Sequence, residues 1–273
     1  MSTNSPTTTS NRTLIELNHL GKSYDDHIVL EKLNAKVNEG EFVTLVGTSG
    51  CGKSTFLKLL LGTETVSTGE LLLDGKPISN EPGPDRGIVF QKYSVFPHLS
   101  VRENVVIGKE FVENRILGRV FGKKRKLLLE EADQWLETVG LSAARHKYPH
   151  ELSGGMQQRL AIAQALIKHP RVLLLDEPFG ALDPGIRKDM HKMVLELWQQ
   201  HKLTVFMVTH DLNEGFYLGT RLWVFDKVRL DPHAPERFGS TITFDLPVGK
   251  VDQTSYQSID QTLEHSRQQL GVC

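Results

Sequence analysis

Apolar residues along the chain fall into two patterns. Short, nearly unbroken runs occur at Phe42–Val46, Val172–Leu175 and Val205–Val208. Runs of this length, without strict alternation, predict strands buried on both faces. Helical periodicity appears between them, at Gly155–His169 and at Ile186–His201, where Met190, Met193, Val194 and Leu197 share one face. Strands alternating with helices predict an α/β core with a mainly parallel sheet.

The N-terminal part reads differently. Leu14–Leu17, Ile28–Leu30 and Glu70–Leu73, with turn residues around Gly21 and at Asp74-Gly75, predict antiparallel strands flanking the core. Residues 93–152 are helical in pattern and carry no strand signal, as expected of an inserted helical subdomain. After residue 226 the chain turns polar, apart from an alternating piece at Ser240–Leu246. The expected division is a disordered N-terminus at 1–12, a core at 13–92 and 153–226, a helical subdomain at 93–152 and a C-terminal extension at 227–273.

Composition narrows the function classes. A chain of 273 residues can bury a sizeable core. With 32 Lys and Arg against 33 Asp and Glu, bulk charge gives no reason to expect a nucleic-acid partner. Only Cys51 and Cys273 are present, so a disulfide framework is not expected and a reducing compartment is. The first residues, MSTNSPTTTSNR, hold no apolar signal segment. No uninterrupted apolar stretch reaches about 18 residues, so a membrane role is expected to come through a partner.

Gly47-Thr48-Ser49-Gly50-Cys51-Gly52-Lys53-Ser54 matches the G-x-x-x-x-G-K-[ST] phosphate loop, with Thr55 following. Glycines let successive N–H groups converge, and the helix that follows turns its positive end to the same point. Lys53 would neutralise phosphate charge and the Ser54 hydroxyl would hold Mg²⁺. Cys51 reads as space-filling, with a redox role the lesser alternative, and Gly62 as the C-cap of the helix. A chance glycine turn before a lysine is the bland alternative; the strand before and the helix after disfavour it. The chain is therefore expected to bind a nucleoside triphosphate.

A second glycine-containing helix start, Leu152-Ser153-Gly154-Gly155-Met156-Gln157-Gln158-Arg159, has Ser153 as its N-cap and forms a second half-site for phosphate. Together with the phosphate loop, LSGGMQQR resembles the signature of ATP-binding cassette (ABC) ATPases. The resemblance runs from about residue 12 to 225 and implies roles for further residues. Asp176, at the end of Arg171–Asp176, would orient Mg²⁺ as the Walker B aspartate, and Glu177 would be the general base. Gln91 resembles the Q-loop glutamine, a further Mg²⁺ and γ-phosphate contact. Asp183, in Ala181-Leu182-Asp183, resembles the D-loop, and His210 the switch histidine. Tyr24 resembles the aromatic that stacks on adenine, although a tyrosine beside a strand turn needs no ligand. The implied cofactors are ATP and Mg²⁺, with Lys53, Glu177 and His210 catalytic. Ser153, Gly154, Gly155 and Gln157 of a second copy would cover the bound ATP.

The resemblance further implies a homodimer of ATPase subunits, bound peripherally to transmembrane permease subunits on the cytoplasmic face of the inner membrane. Pro84–Gln91 is similar to the nitrate/sulfonate/taurine importer group, in which a solute-binding protein acts indirectly. The chain departs from that group at Lys109–Lys126, with its basic Gly122-Lys123-Lys124-Arg125-Lys126, and at Leu218-Gly219-Thr220-Arg221. The basic run reads as a solvated helix end or as a contact for headgroups or the permease. Gln91, Tyr93 and Phe96 mark where the family docks its membrane partner. The alternative to transport is a soluble ABC ATPase of repair or translation, a class usually carrying paired cassettes or long arms. His146 and His150 flank Pro149 with no cysteine near, and read as no zinc site.

Overall fold

A computed structural model describes residues 12–91, 94–113, 120–229, 231, 233, 234 and 236–248. The disorder expected for 1–12 lies outside these residues except at Arg12. There the guanidinium meets Asp74 and the carbonyl accepts the Glu39 N–H at 2.9 Å, so the chain is already held. Tyr93 and the tail beyond residue 248 also lie outside the described residues.

Strands β1 (Thr13–Tyr24) and β2 (His27–Asn38) form a hairpin turning at Asp25-Asp26, with Asp25 at φ 49°. The turn expected around Gly21 is not there. Gly21 sits inside β1, opposite Thr68, where a Cβ would come within 2.3 Å of the Thr68 hydroxyl. This glycine admits a close neighbour at an irregularity in the strand and does not reverse the chain.

Strand β3 (Phe42–Gly47) leads through the glycine loop into α1 (Lys53–Leu61). Gly62 ends the helix as expected, at φ 86° with its N–H on the Lys58 and Leu59 carbonyls. Strands β4 (Thr68–Leu73) and β5 (Lys76–Pro77) turn at Asp74-Gly75, both at positive φ, and complete an antiparallel sheet ordered β2-β1-β4-β5.

Strand β6 (Arg86–Val89) is followed by α2 (Val101–Glu113), α3 (Gly122–Thr138), short 3-10 turns at Ser142–Ala144 and Pro149–Glu151, and α4 (Gly154–Leu166). Then come β7 (Val172–Asp176), α5 (Pro184–His201), β8 (Thr204–Val208), α6 (Leu212–Leu218), β9 (Arg221–Asp226) and β10 (Thr241–Pro247). The second sheet is ordered β10-β9-β3-β8-β7-β6 and is parallel except for β10 on β9.

Successive residues of its central strands feed opposite faces. Leu173, Leu175, Val205 and Met207 pack into the core shared with α2–α5. Val172, Leu174, Phe206 and Val208 pack into the core shared with β1, β2 and α1. Burial on both faces is why these runs are unbroken instead of alternating. Helix α4 is buried along most of its length and fits tightly on α2, where a Cβ on Gly108 would meet the Gln164 carbonyl at 2.7 Å.

Candidate nucleotide site

Register places Val89 beside Leu175, Asp176 beside Val208, and Val208 beside Leu45. The loops after β3, β6, β7 and β8 therefore leave the sheet at one edge, the usual place for a ligand in a parallel sheet. They carry the glycine loop, Gln91, Glu177 and His210.

The glycine loop turns through Gly50 and Gly52 at φ 80° and 87°. Gly47 lies so close to β9 that a Cβ would be 2.3 Å from the Phe225 carbonyl. Lys53 folds back over the loop, its Nζ donating to the Gly47 and Thr48 carbonyls at 2.8 Å each. Thr48 is buried, whereas Ser49 and Gly50 are exposed at the mouth. Cys51 is buried beneath, and burial pushes its thiol up despite the nearby Lys53, so it fills space and is no ready nucleophile.

Three loops meet next to the lysine. The Ser54 hydroxyl donates to Asp176 Oδ1 at 3.0 Å. Burial holds the Asp176 carboxyl above its ordinary value, opposed by the Ser54 hydrogen bond and reinforced by Glu177. Glu177 is in the left-handed region at φ 46°, and its N–H donates to the Val208 carbonyl at 3.1 Å. Such a backbone is costly away from glycine and is held there by the sheet bond. Gln91 Nε2 donates to Glu177 Oε2 at 3.2 Å, and His210 Nδ1 lies 3.7 Å from the same oxygen.

Beside Thr55, the residue after Ser54, Tyr24 is partly exposed, with the Lys22 ammonium 4.5 Å from its ring centroid. Burial raises its hydroxyl, which also bonds Glu64 and meets the Thr55 side chain. Glu64 in turn pairs with Lys22 at 3.1 Å.

These groups fit a magnesium nucleotide. The buried Lys53 ammonium is held by neutral carbonyls, an arrangement that a polyanion completes. Ser54, Asp176 and Gln91 offer oxygen donors, which suit a small hard cation.

The remaining expected residues gather elsewhere. Ser153 caps α4, its Oγ accepting the Met156 N–H at 3.4 Å. Ser153 and Gly154 are exposed, while Gly155 packs on α5, with Ile186 Cγ2 2.7 Å from where a Cβ would sit. Gln157 Nε2 donates to the Pro149 and Leu152 carbonyls at 2.9 and 3.4 Å, bracing the preceding turn. Asp183 is the exposed N-cap residue of α5, without a side-chain cap bond. Among the described residues, no hydrogen bond or ion pair joins these five to the glycine loop.

Sequence reading misses a buried group behind His210, formed by Thr209, Glu214 and His191. Its one available signal is Glu214 four residues after His210, on the inner face of the next helix.

The family model described as ABC transporter matches residues 30–180. The chain is 40% identical over 220 residues to the nitrate import ATP-binding protein NrtD of Synechocystis sp., covering 81% of this chain and 77% of that one. It is 42% identical over 194 residues to the aliphatic sulfonates import ATP-binding protein SsuB of Bacillus cereus, covering 71% and 72%. Its fold matches the dimeric post-hydrolysis structure of the ATP-binding cassette MJ0796 bound to ADP and Pi, with a TM-score of 0.69 and 26% identity, over 87% of this chain and 100% of that one. A phosphate loop, a signature helix and a carboxylate pair on one α/β scaffold agree with these likenesses: the chain belongs to the ABC transporter family, as an ATP-binding, ATP-hydrolysing subunit.

Proposed function

We propose that this subunit works as a head-to-tail pair on the cytoplasmic face of a membrane and drives uptake of a small oxyanion through a separate permease. The observation that carries the reading is the convergence of Ser54, Asp176, Gln91, Glu177 and His210 beside Lys53. In this reading the N–H groups of Gly47–Thr55 and the Lys53 ammonium bind the triphosphate, and Tyr24 stacks on the base. Ser54, Asp176 and Gln91 hold Mg²⁺, which when bound neutralises charge on the phosphoryl oxygens. Glu177 takes a proton from the attacking water, and Gln91 and His210 orient its carboxylate.

Ser153, Gly154, Gly155, Gln157 and Asp183 serve the site of a second copy. Support comes from the exposure of Ser153, Gly154 and Asp183 and from the dimeric state of the MJ0796 cassette. ATP favours the closed pair because it contacts both chains only there. The core at 13–92 and 153–226 carries the chemistry, and the helical subdomain at 93–152 faces the permease. Among the described residues no helix is long and apolar enough to cross a membrane. Nitrate and aliphatic sulfonates, named for two relatives, are both small oxyanions, and a solute-binding protein would deliver such a solute.

Glu177→Gln tests the core of the proposal. ATP affinity stays within about twofold, hydrolysis falls at least about tenfold, and the particle mass doubles with Mg-ATP in light scattering. Wild-type turnover in that variant would refute the base assignment. Uptake of labelled nitrate or an alkyl sulfonate by vesicles holding the subunit with its permease tests the solute class.

A further inference from the structure

Thr209 lies directly before His210 and is almost fully buried. Its N–H donates to the Leu45 carbonyl on β3 at 3.0 Å. Its hydroxyl donates to Glu214 Oε2 at 2.5 Å and accepts the Asp211 N–H at 3.1 Å. One side chain thus staples the residues on both sides of His210, whose own side chain is 64% exposed. An exposed imidazole has little packing to hold it, so its direction depends on its backbone.

Glu214, in the first turn of α6, gives its other oxygen to His191 Nε2 at 2.7 Å. His191 belongs to α5, and both side chains are buried, at 11% and 8% exposure. A buried carboxylate is costly unless its lone pairs find donors, so Glu214 cannot shift without losing one. The His191 ring meets Phe179 edge-on, with centroids 4.9 Å apart, and lies 5.8 Å from the Tyr217 ring. Phe179 is two residues beyond Glu177, and α5 starts at the Asp183 cap.

We propose that Thr209, Glu214 and His191 form a positioning relay for hydrolysis. Through Thr209, Glu214 fixes the backbone of His210 so that its imidazole faces Glu177. His191 ties that setting to the Phe179–Asp183 segment. A displacement of this segment, on which a second copy would bear, is thereby passed to His210. The inference rests on the hydrolytic role of His210 given above. None of the three side chains touches the reacting atoms; they are positioning residues.

The test is a set of variants of the full chain, assayed for steady-state ATP hydrolysis and, with enzyme in excess over radiolabelled ATP, for single-turnover hydrolysis. Thr209→Val and His191→Leu lower kcat on the order of tenfold to 100-fold, as misplaced catalytic groups do, and leave the KM for ATP within about twofold. Thr209→Ser, which keeps the hydroxyl, and His191→Gln, which keeps an N–H donor, restore most of the rate. Placed on His210→Ala, the Thr209→Val change has no further effect on the single-turnover rate, because both act through one imidazole. The same fold loss in that background, or no rescue by His191→Gln, overturns the relay. His191→Leu supplies the same cycle where Thr209→Val does not fold. Wild-type hydrolysis by His210→Ala alone instead strikes down the role given to His210, and with it the object of the relay.

Discussion

At the scale of single residues, the site holds Lys53 away from water and Asp176 partly so. Asp176 is the clearest case, its carboxyl raised chiefly by burial. Between the unfolded value and that raised value the folded chain binds more protons, so stability declines as pH rises through the window. Asp176→Asn is accordingly expected to melt higher than wild type near neutral pH without nucleotide. The difference closes below about pH 3, about a unit under the ordinary Asp value, where the wild-type carboxyl is neutral in both states. The same variant is expected to bind Mg²⁺ about 10–100-fold more weakly in a titration followed by calorimetry. Tyr24 offers a second check. Tyr24→Phe keeps the ring over Lys22 and holds ATP affinity, whereas Tyr24→Ala loses about 2–10-fold.

At the scale of elements, the site is only as firm as the packing beneath it. Phe56, one turn along α1 from Lys53, meets the rings of Phe206, Trp223 and Phe225 at 6.0, 6.0 and 5.6 Å. Phe56→Leu is expected to cost about 1–2 kcal/mol in urea unfolding, with a parallel loss of ATP affinity as the helix start loosens. Arg221 ties three strands. Its guanidinium forks onto Asp245 of β10 at 2.6 Å, and reaches Glu41 at 3.0 Å and the Lys36 carbonyl of β2 at 2.6 Å. Arg221→Lys keeps the charge but loses the fork, and should destabilise by about 1–3 kcal/mol, with faster hydrogen exchange in β10. The periodicity of Ile186–His201 and the unbroken run at Val172–Leu175 made α5 and β7 readable in advance. Gly21 was not readable, because a glycine that admits a neighbouring strand and one that turns the chain look alike until the neighbour is known. The basic run is likewise placed by the fold: Lys123, Lys124 and Lys126 are exposed in the first turns of α3, while Arg125 bridges to Glu103 and Glu110 of α2 at 3.6 and 3.5 Å.

At the scale of the whole molecule, the pairing proposed above would give one chain two half-sites, each for a different nucleotide. The glycine loop opens at the carboxyl edge of the sheet, and the signature helix begins beside the start of α5. Pairing two copies is the simplest way for both to be used. A Ser153→Arg variant, with a bulky cation at the α4 cap, should bind ATP within about threefold of wild type, and it should fail to form the Mg-ATP dimer when combined with Glu177→Gln. A dimer of unchanged stability in sedimentation would remove Ser153 from the interface.

What the sequence alone determined is whatever is local. Glycine spacing sets where N–H groups can converge, a cap serine starts a helix, and apolar period separates two-sided strands from one-sided helices. Those features, with the family likeness of LSGGMQQR, were enough for the P-loop core and for the order of its motifs. Only the tertiary structure decided which distant residues share a point. Ser54 and Asp176 are 122 positions apart, yet lie 3.0 Å from each other, because parallel strands end together. Thr209, Glu214 and His191 needed the fold for the same reason: a buried polar residue declares its purpose only through the partner that satisfies it, and no spacing along the chain names that partner.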